Sequence, residues 1–243
     1  MAQEFYDRFY GDATDSLRQW RLLGAINKSQ SVLDLTADLR IRDVIDIGSG
    51  TGALLELLAP LRPTWRFEAV DIAASAVQTI EALSLPNVEA RLFDGSHLPY
   101  KDGEFGLAIM SHVVEHLEDT QPLLQEAARV ARWLCIEVPV EGTPVLDAVS
   151  WLHAKAGRPR IPNTIGHLRF CSRREWDRLF ADNGLTILRR RQYTVQKEVL
   201  FFGKHGAGLI EERVKLLGQR ILGRRIWADL YHSNYAVLAK GVH

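Results

Sequence analysis

The stretch Val44-Ile45-Asp46-Ile47-Gly48-Ser49-Gly50-Thr51-Gly52-Ala53 joins one carboxylate to three glycines at alternate positions. Glycines let a chain turn tightly and let a ligand touch backbone amides with no side chain between. A helix opening directly behind such a turn offers unpaired N–H groups, which suit an anionic group. Asp46 pulls the other way: a carboxylate two residues before the first glycine repels a pyrophosphate and suits a cation or a hydroxyl donor. The spacing is Gly-x-Gly-x-Gly with Ala53 last, not the Gly-x-Gly-x-x-Gly of dinucleotide turns. Asp46, Gly48, Ser49, Gly50 and Gly52 therefore form a candidate site for a ligand carrying both an anionic and a cationic or hydroxyl-bearing part. A tight turn with no ligand is the alternative.

Such a turn needs a strand in front and a helix behind, and the chain supplies that alternation repeatedly. Apolar runs at Val44–Ile47, Phe67–Val70, Val88–Leu92, Leu107–Met110 and Leu134–Val138 alternate with helical patterns at Ala53–Leu61, Ser75–Leu83 and Thr120–Val130. Continuous apolar strands between helices predict βαβ units and a parallel sheet covered on both faces. Ser172, with Glu175 three residues on and Gly184 behind, predicts a capped helix over Ser172–Asn183. Two late strands are expected at Leu185–Val195 and Tyr235–Ala239, with an amphipathic helix at 207–230 between them. Residues 1–40 read as helical, and 141–170, with prolines, glycines and little periodicity, as a loop or lid.

The glycine turn resembles motif I of the class I S-adenosylmethionine-dependent methyltransferases, Val/Leu-x-Asp-x-Gly-x-Gly-x-Gly. The resemblance continues in order along the chain, over about residues 40–240. Phe67–Ile72 is similar to the second strand, ending in Asp71, the acid that in this family grips the ribose hydroxyls, with Ile72 beside it. Arg91–Ser96 with Leu98-Pro99-Tyr100 is similar to Asp-Gly/Ala-x-x-Leu-Pro-Phe/Tyr. By that likeness Asp94 accepts from the adenine amino group, and Gly95 and Ser96 lie alongside. Phe105–Leu117 resembles the fourth strand and its exit loop, and Gly166–Ser172 the Gly-His-x-Arg/Lys-Phe/Tyr stretch of the ubiquinone and natural-product subgroup. Gly106 departs from the pattern, standing where the family usually has aspartate. The resemblance implies a Rossmann-like doubly wound α/β sheet, mostly parallel with an antiparallel last strand, plus helical cap elements. It also implies S-adenosyl-L-methionine as cofactor and S-adenosyl-L-homocysteine as product. The expected organisation is a cap at 1–40 and a methyltransferase domain at 41–243, with cap insertions near 141–170 and 200–230.

Methyl transfer from a sulfonium is an in-line displacement: the site aligns nucleophile and methyl, excludes water and removes a proton where the nucleophile carries one. The Gly48–Gly52 amides match the cofactor carboxylate and Asp46 its ammonium. Ser111 and His112 follow the fourth strand, where ligands approach such sheets, and a neutral His112 imidazole is the candidate general base. Packing beside the cofactor is its other reading. His167 is a candidate substrate contact. Tyr6 and Tyr10 are expected to close over the cofactor or to join a core-facing aromatic stripe. Glu115 and His116 are expected to cap or bond the following helix, and Glu137 to face the pocket or pair with a cation. Ser111 stands where catechol-type enzymes keep a magnesium-binding aspartate, so metal-independent transfer is expected. No Pro-Cys nucleophile or Asn-Pro-Pro-Tyr motif follows the fourth strand, which disfavours covalent cytosine and adenine amino chemistry.

Bulk properties are those of an ordinary globular protein: 243 residues, 47% hydrophobic and 25% charged, enough for one large domain. Lys plus Arg equals Asp plus Glu, 30 each, so no net field attracts polyanions and no strong nucleic-acid signal appears. Two cysteines give no disulfide framework or zinc spacing, and no apolar run spans a bilayer; a cytoplasmic protein is expected. Arginines on the 207–230 helix leave a weak case for peripheral membrane contact, and Arg189-Arg190-Arg191 reads as a solvated strand edge. The expectation is an enzyme methylating an oxygen or nitrogen of a small molecule. A protein or RNA methyltransferase, a non-catalytic cofactor-binding module and a dehydrogenase are the alternatives. Oligomeric state is not encoded in any of these features.

Overall fold

The computed structural model describes residue 7, residues 15–155, 157, 166–194, 203 and 207–241. Tyr6 and Tyr10 lie outside them. Helix α1 (Asp15–Leu35) leads into β1 (Asp43–Ile47), α2 (Ala53–Leu61), β2 (Arg66–Asp71), α3 (Ala74–Ala82) and β3 (Val88–Leu92). Then come β4 (Phe105–Ser111), a 3₁₀ turn (Val114–His116), α4 (Gln121–Val130), β5 (Ala131–Val140) and α5 (Pro144–Lys155). The chain continues through α6 (Arg173–Asp182), β6 (Leu185–Tyr193), α7 (Ala207–Leu230) and β7 (Ser233–Gly241).

The seven strands lie in the order β3-β2-β1-β4-β5-β7-β6. Pairs among β1 to β5 are parallel, whereas β7 runs antiparallel to both β5 and β6. The mostly parallel, doubly wound sheet expected from the alternating pattern is the one observed. Burial explains the composition: β1 and β4 are covered on both faces and read as continuous apolar runs, while the edge strand β6 alternates. One core layer gathers Ile45, Ile47, Met110, Leu124, Val138, Trp176 and Tyr235; the other gathers Val32, Leu35, Leu55, Leu58, Phe67 and Leu107. Order reverses between β1 and β4, so their carboxyl ends open the crevice where ligands of such sheets bind.

Three expectations are corrected. Residues 144–155 form α5, not a loop: Pro144 takes the first helical position and Asp147 N–H donates to Thr143 O at 2.9 Å. The prolines and glycines that suggested a lid include the start signal of that helix. The expected helix at 207–230 is present but broken at Gly223, whose φ of 78° and ψ of 155° interrupt it. The arginine run lies on the edge strand with Arg190 exposed, but it is not simply solvated: Arg189 pairs with Asp38 and donates to Leu35 O, Arg191 reaches Ser31 Oγ at 2.7 Å, and Arg190 Nε lies 3.6 Å from Asp177. Arg189 and Arg191 thus pin α1 and the residues just after it against the sheet edge.

The capping box at Ser172 and Glu175 forms as expected, with both reciprocal bonds made. It starts the helix that buries Trp176, whose indole N–H donates to Pro139 O at 2.7 Å and whose ring stacks on Phe180. Trp176→Phe deletes that donor and thins the packing, so the urea midpoint is expected to fall by the equivalent of about 1–3 kcal/mol. An unchanged midpoint would show that the bond adds nothing.

Candidate functional site

The turn after β1 is built from backbone that other residues resist. Gly48, Gly50 and Gly52 hold φ of 74°, 55° and 74°. A Cβ on Gly48 would lie 2.6 Å from Val113 Cγ2, and one on Gly52 2.8 Å from Ile80 Cγ1, so conformation and space both require glycine. Gly48 and Ser49 donate their N–H groups to Val70 O at 2.8 and 3.2 Å, and Ser49 Oγ donates to Asp46 O at 2.7 Å. The turn is folded back onto the end of β2.

Asp71 ends β2 beneath it. Its Oδ2 accepts from Gly50 N–H at 2.7 Å and its Oδ1 from Ala73 N–H at 2.9 Å, with the residue only 4% exposed. Burial raises its carboxyl above the usual range, against those backbone donors. Asp46 is also buried; burial first, then the Asp71 carboxylate, push it up to about 7 against the pull of Lys28. Beyond β3, Asp94 is exposed and accepts from Ser96 N–H, Ser96 Oγ and His97 N–H. Those donors hold its carboxyl below the ordinary range. All three end on Oδ1, so the turn does not need the second oxygen. The register Asp71↔Leu92 and the bond from Phe93 N–H to Asp71 O set the two acidic tips along one edge of the sheet. Gly95, at φ 85°, comes against Ile72, 3.4 Å from where a Cβ would stand.

At the end of β4 the backbone departs from ordinary conformations. His112 has φ of 59°, rare for a residue with a side chain, and its N–H donates to Glu137 O at 2.9 Å. Its imidazole lies between two buried carboxylates: Nδ1 is 2.9 Å from Glu115 Oε1 and Nε2 is 3.6 Å from Glu137 Oε1. Burial pulls its pKa down and Lys28 adds to that, yet Glu115 and Glu137 outweigh both, and the net displacement is upward. Tyr193 OH donates to Glu137 Oε1 at 2.7 Å. Lys28 on α1 faces Glu137, Glu115 and Asp46, and burial drives its pKa down against their attraction. Among the described residues, Ser111 Oγ, His112 Nε2 and Glu137 Oε2 are buried without a hydrogen-bond partner. Orphaned buried polar atoms of this kind call for a ligand or water.

The expected residues Asp46, Gly48, Ser49, Gly50, Gly52, Asp71, Ile72, Asp94, Gly95, Ser96, Ser111 and His112 fall along the carboxyl ends of β1 to β4. His167 stands one shell away, buried, with Nδ1 2.8 Å from Glu141 Oε2. Glu115 is fully buried beside His112, and its carbonyl accepts from Leu168 N–H, so the expected cap on the following helix is not its role. Sequence reasoning missed Lys28, Tyr193 and Glu141. They come from α1, β6 and the end of β5, and no local spacing marks them; only the fold brings them in.

A family model described as a methyltransferase domain matches residues 3–190. Ajmaline N-methyltransferase of Rauvolfia serpentina is 27% identical over 95 residues, which is 37% of this chain and 32% of that protein. A 37.1 kDa protein of a Streptomyces fradiae transposon is 31% identical over 125 residues, 50% of this chain and 36% of that one. The chain thus spans about a third of the length of these curated relatives. Geranyl diphosphate C-methyltransferase from Streptomyces coelicolor superposes with a TM-score of 0.63 at 15% identity, covering 99% of this chain and 98% of that one. A methyltransferase solved with its Trm112 activator from Haloferax volcanii gives a TM-score of 0.61 at 18% identity, covering 98% of each chain. With well over half of its residues inside the family model, the chain belongs to the methyltransferase-domain family.

Proposed function

We propose that the protein moves a methyl group from S-adenosyl-L-methionine to an oxygen or nitrogen of a small molecule, releasing S-adenosyl-L-homocysteine. The observation that carries this reading is the row of groups along the carboxyl ends of β1 to β4: three left-handed glycines, a buried carboxylate beside them, and orphaned polar atoms opposite. Those groups suit a ligand with an anionic end, a cationic centre and hydroxyls. The cofactor, when bound, supplies a methyl group activated by a sulfonium. In this reading the Gly48–Gly52 turn holds the carboxylate, Asp46 the ammonium, Asp71 the ribose hydroxyls, and Asp94, flanked by Gly95 and Ser96, the adenine amino group. Asp71 keeps lone pairs beyond the two its backbone donors use. His112 takes the substrate proton at Nε2, and Glu115 and Glu137 stabilise the imidazolium that forms. Ser111 lines the same wall.

The partial likeness to ajmaline N-methyltransferase supports the small-molecule reading. No helix among the described residues is long and apolar enough to cross a membrane. The test is turnover with a panel of phenols, amines and acids, followed by S-adenosylhomocysteine release, alongside calorimetry with S-adenosylhomocysteine and with NAD. Release with at least one substrate is expected. Saturable NAD binding without S-adenosylhomocysteine binding overturns the reading, and tight S-adenosylhomocysteine binding with no turnover across the panel favours a binding module.

Asp46 gives the binding a pH signature. A cationic ligand needs the carboxylate ionised, and the free protein holds that group half protonated near 7. Binding below that point must expel a proton, so affinity falls as pH drops. From pH 7.5 to 6 the loss is expected to be about eightfold, by simple proton linkage at one site. Asp46→Asn should bind weakly and show no such slope. A slope that survives in the variant assigns the proton to another group.

A further inference from the structure

We propose that Glu115, His116 and His167 form a binding site for a divalent first-row transition ion of the zinc class, which clamps the 166–169 segment to the turn after β4. The donor atoms of these three residues all lie within 4.8 Å of one another, although His167 is 51 positions along the chain from its partner His116.

Two observations show that the cluster is aimed at something. His167 Nδ1 lies 2.8 Å from Glu141 Oε2, a pair that fixes the ring proton on Nδ1 and leaves a lone pair on Nε2. That lone pair faces Glu115 Oε1 at 4.0 Å. Two acceptors thus confront each other in the interior, with His167 only 3% exposed and Glu115 at 0%. Among the described residues His167 Nε2 and Glu115 Oε2 have no hydrogen-bond partner, while Glu115 Oε1 lies 2.9 Å from His112 Nδ1. A buried carboxylate met by a single imidazole is under-satisfied, and a bound cation offsets part of that cost.

The surroundings are those of a metal site. His116 Nδ1 lies 3.1 Å from Gly166 O, as His167 Nδ1 lies against Glu141. Metal-bound histidines are commonly oriented by a carbonyl or carboxylate on the second nitrogen. Two imidazoles and one carboxylate favour zinc, cobalt or nickel over magnesium or calcium, which prefer all-oxygen shells. Tetrahedral ligation at about 2.0–2.1 Å spaces donors about 3.3 Å apart, so closing on an ion asks for about 1 Å of side-chain movement. The clamp also follows lines of contact that exist: Leu168 and Arg169 donate backbone N–H groups to Glu115 O, and Arg169 reaches Leu117 O and Glu118 O.

The experiment is titration of untagged, chelator-stripped full-length protein with Co²⁺, Zn²⁺ and Mg²⁺, read by visible absorption, calorimetry and thermal unfolding. One equivalent of Co²⁺ should bind with a d–d spectrum of nitrogen and oxygen ligation, Zn²⁺ should displace it, and both should raise the unfolding temperature, while Mg²⁺ does neither. His167→Ala and Glu115→Gln should each weaken Co²⁺ binding at least 100-fold, and Glu141→Gln, acting through His167, about 10–100-fold. Glu115→Gln keeps the side-chain volume, and its amide oxygen can still accept from His112 Nδ1, so the metal-free variant should stay folded. It serves as the folded control should His167→Ala fail to fold. No Co²⁺ uptake, or uptake unchanged in Glu115→Gln and Glu141→Gln, overturns the site. S-adenosylhomocysteine binding is measured on the same samples. Its presence without Co²⁺ uptake sinks the clamp alone, and Co²⁺ uptake without it sinks the methyl-transfer reading alone.

Discussion

His112→Asn is expected to lower turnover about 10²–10⁴-fold, the usual contribution of a general base, on a substrate whose nucleophile carries a tightly held proton. S-adenosylhomocysteine affinity should stay within about threefold of the parent, because the imidazole is assigned to the substrate side. Asparagine is the informative replacement. His112 sits at φ 59°, a conformation asparagine tolerates far better than alanine or a branched residue. Its amide can also still donate toward Glu115 or Glu137, whereas alanine would take from the buried Glu115 carboxylate its imidazole partner and destabilise the fold for reasons unrelated to chemistry. The decisive readout is a series of phenols of rising acidity. A phenol that is already ionised at working pH needs no base, so the variant's deficit should shrink across the series. A deficit that is equal for every phenol shows that His112 positions or packs and does not accept the proton.

The parts of the site that were legible from sequence are those encoded by short-range signals. The β1-turn-α2 unit could be read because glycine at three alternate positions has one physical use, and all three adopt the left-handed conformation that the use requires. The helix Ala53–Leu61 and the strand Val88–Leu92 fall on the residues expected, bounded by turns. The box at Ser172 and Glu175 formed because its two bonds are local. Helix α5 was hidden because its start signal, Pro144, is also a loop signal, and its apolar residues do not keep to one face. The arginine run was misread because a period of two places Arg189 and Arg191 on one face and Arg190 on the other, and their acidic partners lie in distant segments. A bulge at Leu188, where Ile187 pairs with Ala239 and Arg189 with Leu238, sets that phase and leaves no mark in composition.

The same distinction separates groups with chemistry from groups that bring them together. Asp46 lies near the carboxyl end of β1, and Asp71, Asp94 and His112 each end or follow a strand, so a topological rule finds them. Lys28, Tyr193 and Glu141 are placed only by the packing of α1, β6 and the end of β5 against the core. Their charges matter because the interior is dry: Lys28 faces Asp46 and the two carboxylates, Glu115 and Glu137, that flank His112. A site read from sequence alone lacked that counter-charge, and with it the reason so many acids can share one wall.

Asp71→Ala should damage binding and folding together, and the pairing of the two effects identifies the role of the residue. Its carboxylate is the buried acceptor for Gly50 N–H and Ala73 N–H, so alanine leaves two donors of a tight turn without partners. Each costs about 1–3 kcal/mol, and the relief of removing a buried charge offsets part of that, for a net loss of about 2–4 kcal/mol in the urea midpoint. S-adenosylhomocysteine affinity should fall by about 1–3 kcal/mol more than folding accounts for, roughly 5- to 150-fold at temperatures where the variant is fully folded. Asp94→Ala separates the two contributions. Asp94 is exposed and its turn lies in solvent, so that variant should lose comparable affinity with almost no change in stability. If Asp71→Ala is unstable yet binds S-adenosylhomocysteine as the parent does, the acid only buttresses the glycine turn and some other group must meet the ribose. If it is stable and binds normally, the bonds to Gly50 and Ala73 contribute nothing, and the argument that the turn is held ready for a ligand fails with them.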